Sequence, residues 1–180
     1  MCRAGTDCTD CGQRVPFPPP APRVPTCEAP MELIFVVDES GSMSPYAGRL
    51  KEVIRALSYQ FELSPTLARI GLIFFSFTAA VKVPLTDDRA AIEAAIDGYR
   101  PGGGTGISRG LELGASMLRG TSVRPSTQKV ILLLTDGVQS ASLGGDRAAV
   151  GGAMEVRRRT GVTIIAVGFG GASGQTLDAI

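Results

Sequence analysis

The sequence predicts an α/β fold, doubly wound around a mostly parallel sheet with one antiparallel edge strand. Three observations carry that reading. Four near-continuous apolar runs, Leu33–Val37, Ile70–Phe77, Val130–Leu134 and Val162–Val167, are rich in β-branched and aromatic residues, the pattern of strands buried on both faces. Segments with apolar residues at helical spacing separate them. A fifth run, Ala80–Val83, follows Phe77 too closely for a parallel crossover, so it should hairpin back as an antiparallel edge strand.

The elements follow in order. Residues 1–30 stand apart as a Cys/Pro-rich tail and linker, holding all four cysteines (Cys2, Cys8, Cys11, Cys27) and the run Pro16-Phe17-Pro18-Pro19-Pro20-Ala21-Pro22. Prolines at that density favour an extended spacer over a packed core. The domain is expected over 31–180. After the first strand, Ser44-Pro45 reads as a helix start, with Leu50, Val53, Ile54, Leu57 and Phe61 on one face. Asp88 can cap a second helix that turns Ile92, Ala95, Ile96 and Tyr99 inward. Ile107, Leu111, Gly114 and Leu118 stripe a third. Asp146 opens a fourth that closes at Gly161. Pro84 is tolerable just past an edge strand.

Composition narrows the function classes. A chain of 180 residues with 44% hydrophobic and 19% charged residues can bury a core. A net charge of +1 gives no electrostatic reason to expect nucleic acid or an acidic membrane as partner. Apolar runs fall well short of the roughly 20 residues a membrane helix needs. No histidine is present, which removes Ser-His-Asp and Cys-His nucleophiles and every His-ligated metal site. The start, MCRAGTDCTDCGQ, lacks the apolar stretch of a signal peptide, so either the chain is not secreted by that route or Met1 is not the true start.

In ELIFVVDESGSMS the apolar run ends on Asp38, and Ser40 and Ser42 follow at alternate positions, able to turn their hydroxyls to one point. Gly102, Gly103 and Gly104 let the backbone bring Thr105 close, just before a helix. Asp136, in LLLTDG, stands at the carboxyl end of a later central strand, and in a doubly wound sheet ligands bind where the winding reverses. Asp38, Ser40, Ser42, Thr105 and Asp136 form an all-oxygen set that suits Mg²⁺ or Mn²⁺ over zinc or copper. With hydroxyls bound to the ion and acids holding its waters, the ion keeps much of its positive charge. A carboxylate of another molecule can then take the position left to water.

DESGSMS, GGGTGIS and LLLTDG, in this order and on these elements, resemble the von Willebrand factor type A domain family, over residue 31 to about 180. The resemblance implies a Rossmann-like fold and a metal-ion-dependent adhesion site (MIDAS). It gives direct coordination by Ser40 and Ser42, by Thr105 in a ligand-bound state, and roles through water or hydroxyls for Asp38 and Asp136. It implies a protein partner presenting Asp or Glu, no catalysis, and an extracellular or cell-surface location. The family fold normally continues with a further strand and helix, and GGASGQTLDAI can begin only one helix, so the domain is expected to be C-terminally truncated. Glu39 should point away from the ion.

Rival readings remain. An intracellular family member could serve as an assembly subunit. A magnesium-dependent phosphohydrolase would want an acid two residues after Asp38, where Ser40 stands. GGGTG lacks the GK[ST] ending of a phosphate loop. Cys8-x-x-Cys11 is half of a four-cysteine zinc pattern; disulfides in an extracellular chain are the preferred reading, with pairing undetermined. Arg157-Arg158-Arg159 suits a helix C-terminus on a solvated face.

Overall fold

A computed structural model describes residues 30–120, 123–172 and 174–180. The four cysteines and the proline run lie outside them. Five strands form one sheet: β1 Met31–Asp38, β2 Ala68–Phe75, β3 Ala79–Thr86, β4 Gln128–Thr135 and β5 Thr163–Gly168, in the order β3-β2-β1-β4-β5. β1 pairs in parallel with β2 and β4, β4 in parallel with β5, and β3 runs antiparallel along β2. The predicted fold class is the observed one.

The apolar runs bury both faces of the sheet, as a period of two requires. Leu33, Phe35 and Val37 of β1 pack with α1 (Ala47–Ser58) and α2 (Arg89–Asp97). Ile34 and Val36 pack on the opposite face with α3 (Ile107–Met117) and α4 (Gly145–Thr160). A short α5 (Gly174–Ala179) follows β5. The chain leaves β1 toward β2 on one side and later enters β4 on the other. The winding therefore reverses between β1 and β4, and their carboxyl ends, Asp38 and Thr135, become the mouth of a crevice.

Several boundaries differ from expectation, each for a local reason. Ser44 does not cap a helix: its hydroxyl donates to the Gly41 carbonyl at 2.8 Å, inside a 3-10 turn over Gly41–Tyr46 that precedes α1. α1 stops at Ser58, whose hydroxyl donates back to the Arg55 carbonyl at 2.8 Å, so Phe61 packs on the core from beyond the helix. Pro84 lies within β3, where the pairing register with β2 shifts. Phe77 leaves the strand and stands 49% exposed. Asp88 caps α2 as expected, accepting from the Ala90 and Ala91 amides. Asp146 lies in the first turn of α4 but caps nothing; Gly144 occupies the cap, and Gly161 ends the helix with φ of 64°.

Two features hold the sheet in place. Glu32, fully buried at the amino end of β1, accepts from Arg69 (Nη2, 2.6 Å) and Arg124 (Nε, 2.8 Å). Burial would raise its carboxyl, but those hydrogen bonds outweigh it and hold the group below its ordinary range. α3 meanwhile lies hard against the sheet at Gly110, where an added Cβ would stand 2.7 Å from the Phe75 ring and 2.8 Å from Val36. Gly110→Ala should therefore destabilise the domain by about 1–3 kcal/mol from overpacking, overriding the roughly 1 kcal/mol that alanine gains in a helix. Urea unfolding measures it; equal or higher stability would contradict this packing.

Candidate metal site

Three loops meet at the mouth between β1 and β4. The first begins as β1 ends. Asp38 is fully buried; its Oδ1 accepts the Ser40 amide at 2.8 Å and its Oδ2 accepts the Thr135 hydroxyl at 2.6 Å. This short turn keeps Ser40 extended, with φ of −69° and ψ of 163°. The Ser40 and Ser42 hydroxyls then stand 3.0 Å apart. Adjacent oxygens in an octahedron with metal–oxygen distances of about 2.0–2.1 Å stand about 2.8–3.0 Å apart. The two hydroxyls have the spacing of neighbouring ligands to one ion.

The second loop is tied to the first through its backbone. The Gly41 amide donates to the Gly103 carbonyl at 2.9 Å, and the Gly102 amide to the Glu39 carbonyl at 2.7 Å. Gly103 takes φ of 82°, and a Cβ on Gly104 would stand 2.5 Å from the Phe77 ring and 2.9 Å from the Ser140 hydroxyl. The left-handed backbone at Gly103 favours glycine, and the missing side chain at Gly104 lets Phe77 and Ser140 close over the loop that leads to Thr105. Thr105 is buried, its amide donating to Ser140 Oγ and its carbonyl accepting the Ser140 amide, both at 2.9 Å.

The third loop follows β4. Asp136 is half-buried beside Gly137, whose φ of 93° turns the chain and whose amide donates to Thr135 Oγ1 at 3.0 Å. Asp136 and Ser42 line one pocket of about 360 Å³. The structure thus ties Asp38, Ser40 and Ser42 together by hydrogen bonds, puts Asp136 and Ser42 on the lining of one pocket, and joins the Thr105 loop to both neighbours.

The site's electrostatics lean one way. Burial pushes the Asp38 carboxyl above the usual range; hydrogen bonds from Thr135 and Ser40 oppose the rise and the neighbouring Asp136 charge adds to it. Among the described residues no basic side chain pairs with Asp38 or Asp136. Two carboxylates without a protein cation, near paired hydroxyls, form an all-oxygen donor set of the kind hard divalent cations prefer. No three Asp, Glu, Cys or His side chains converge among the described residues, so hydroxyls are essential to such a site. Glu39 faces elsewhere, accepting the Arg100 amide at 3.0 Å with Lys82 Nζ 3.8 Å away.

Several supporting residues escaped the sequence reading. Tyr99, expected only as a core residue, donates its hydroxyl to the Asp38 carbonyl at 2.6 Å and meets Phe74 edge-on. Burial, then the charge of Asp38, pushes its phenol up. Buried Gln139 accepts the Ser108 amide at 3.0 Å and donates to the Leu143 carbonyl at 2.7 Å. Its own amide donates to Asp146, whose second oxygen accepts from Thr176. Thr135 was visible within LLLTDG, directly before Asp136; Gln139 and Ser140 carry no local signal.

Comparison with known proteins fits this geometry. A model of the von Willebrand factor type A domain matches residues 32–180. Matrilin-1 of Mus musculus is 27% identical over 172 residues, 89% of this chain and 33% of that protein. A UPF0353 protein of Mycolicibacterium paratuberculosis is 29% identical over 161 residues, 82% of this chain and 46% of that protein. The chain thus spans less than half the length of either relative. Among solved structures, proximal thread matrix protein 1 from the mussel byssus, with a zinc occupied MIDAS motif, superposes with a TM-score of 0.71 at 26% identity. It covers 87% of this chain and 40% of that one.

The raised Asp38 pKa fixes the sign of a pH effect. A carboxyl whose folded pKa is raised favours folding when protonated; that contribution is lost as pH rises through the folded value. Metal-free wild type should lose stability relative to Asp38→Asn as pH rises from the ordinary aspartate range toward neutrality. Parallel urea midpoints for the two proteins across that range would contradict the assignment.

Proposed function

This chain belongs to the von Willebrand factor type A domain family, and we propose that it binds a protein partner through a divalent cation. Ser40 and Ser42 would hold the ion directly, with Thr105 joining when a ligand is bound. Asp38 and Asp136 would act through waters or hydroxyls. The bound ion supplies a positive centre able to accept one acidic oxygen from an Asp or Glu of the partner. The observation that carries this reading is the pair of hydroxyls 3.0 Å apart beside two carboxylates that no basic side chain neutralises. Mg²⁺ suits the oxygen donors best; the zinc in the mussel relative makes Zn²⁺ and Mn²⁺ necessary comparisons.

A binding role is favoured over phosphohydrolase chemistry by the state of Asp38. Its two carboxylate oxygens already accept from Ser40 and Thr135, and the residue is fully buried. A nucleophile needs a free, accessible oxygen. We further place the protein outside the cell, because four cysteines in a short proline-rich segment suit disulfides. Thiol titration of native protein should find fewer than four free thiols; four would favour the intracellular assembly-subunit reading.

Isothermal titration of Mg²⁺, Mn²⁺ and Zn²⁺ should give one site in wild type, and affinity at least about tenfold weaker in Asp136→Ala. Saturating Mg²⁺ at about 100 times its Kd should stabilise wild type by about 2.7 kcal/mol, with little effect on the variant. Undiminished metal binding by Asp136→Ala would overturn the assignment.

A further inference from the structure

The pocket beside Ser42 and Asp136 has a second wall that binding an ion does not use. Pro45, Tyr46, Val138 and Gly171 complete it. Val138 is 56% exposed, two residues from Asp136, and belongs to neither hydrophobic core cluster among the described residues. Tyr46 is held in place from behind: its ring meets Phe169 at 6.5 Å between centroids. It also sits so close over Gly170, where φ is 58°, that a Cβ would stand 2.2 Å from the tyrosine hydroxyl. The wall is therefore built from both the loop bearing Asp136 and the loop after β5, around a fixed aromatic ring.

We propose that this wall is a subsite for an aliphatic side chain of the same partner segment whose carboxylate reaches the cation, so that the domain reads an acidic and an aliphatic residue together. The inference rests on the cation reading above and adds the partner's second determinant. Charge complementarity selects the acid, and the shared residues Ser42 and Asp136 place the apolar wall beside it. In an extended peptide, side chains two residues apart lie on the same side. The recognised pattern is thus an Asp or Glu and a Leu, Ile, Val or Met separated by one residue.

Immobilised peptides Gly-Gly-Glu-Gly-Leu-Gly-Gly, and the same peptide with Glu→Gln or Leu→Ser, test this with wild type and Val138→Ser in Mg²⁺ or EDTA. Wild type in Mg²⁺ should be retained about tenfold more on the Glu/Leu peptide than on the Leu→Ser peptide, the change expected from covering one aliphatic side chain. Val138→Ser should lose that discrimination while still binding Mg²⁺ and still rejecting the Glu→Gln peptide. Retention that depends on Glu and Mg²⁺ but ignores Leu, or Leu discrimination that survives in Val138→Ser, overturns the subsite and leaves the cation reading standing. Absence of any EDTA-sensitive, Glu-dependent retention overturns both.

Discussion

Two buried carboxylates stand at opposite ends of β1, and the difference between them organises the molecule. Glu32, at the amino end, is met by the guanidinium groups of Arg69 and Arg124. Arg124 also reaches the Met31 and Leu67 carbonyls, tying the lower rim of the sheet together. Asp38, at the carboxyl end, is equally buried. It receives only neutral donors, with a second carboxylate nearby. A buried negative charge is costly unless a cation compensates it. The first carboxylate is neutralised from within the chain; the second meets no basic side chain among the described residues, which is the basis of the cation binding proposed above.

The fold provides the means. Reversal of winding between β1 and β4 brings Asp38 beside Thr135, and the chain passes from β4 straight into Asp136. The glycine-rich loop is then sewn to both neighbours by backbone hydrogen bonds, through Gly41 and Gly102 on one side and Ser140 on the other. Gln139 and Asp146 extend that support to α3, α4 and α5. Hydrogen bonds between the three loops thereby hold the candidate side chains on one rim of the sheet. That arrangement is consistent with a recognition surface whose specificity lies in the surrounding rim.

Much of this was legible in the residues themselves. Continuous apolar runs announced strands buried on both faces, and Asp38, Ser40, Ser42, Thr105 and Asp136 could be nominated as one candidate set because each lies in a marked local pattern beside an element. Other features depended on tertiary contacts that no local pattern encodes. Phe77 reads as strand, yet the chain turns at Ser76 and the ring lies over Gly104. Ser44-Pro45 reads as a helix start, yet Ser44 serves a 3-10 turn. Tyr99 reads as core, which it is, but its hydroxyl supports the Asp38 carbonyl across 61 residues of sequence. Gln139 and Ser140 acquire their roles only once α3 and the glycine-rich loop are packed beside them.

Cation binding at the mouth between β1 and β4 can be seen directly by anomalous diffraction from crystals of the domain equilibrated with Mn²⁺. A single strong manganese peak should appear about 2.1 Å from both the Ser40 and Ser42 hydroxyl oxygens, on the side facing Asp136. A manganese-saturated crystal with no peak there, or with the ion bound only at other carboxylates, would contradict cation binding at this mouth.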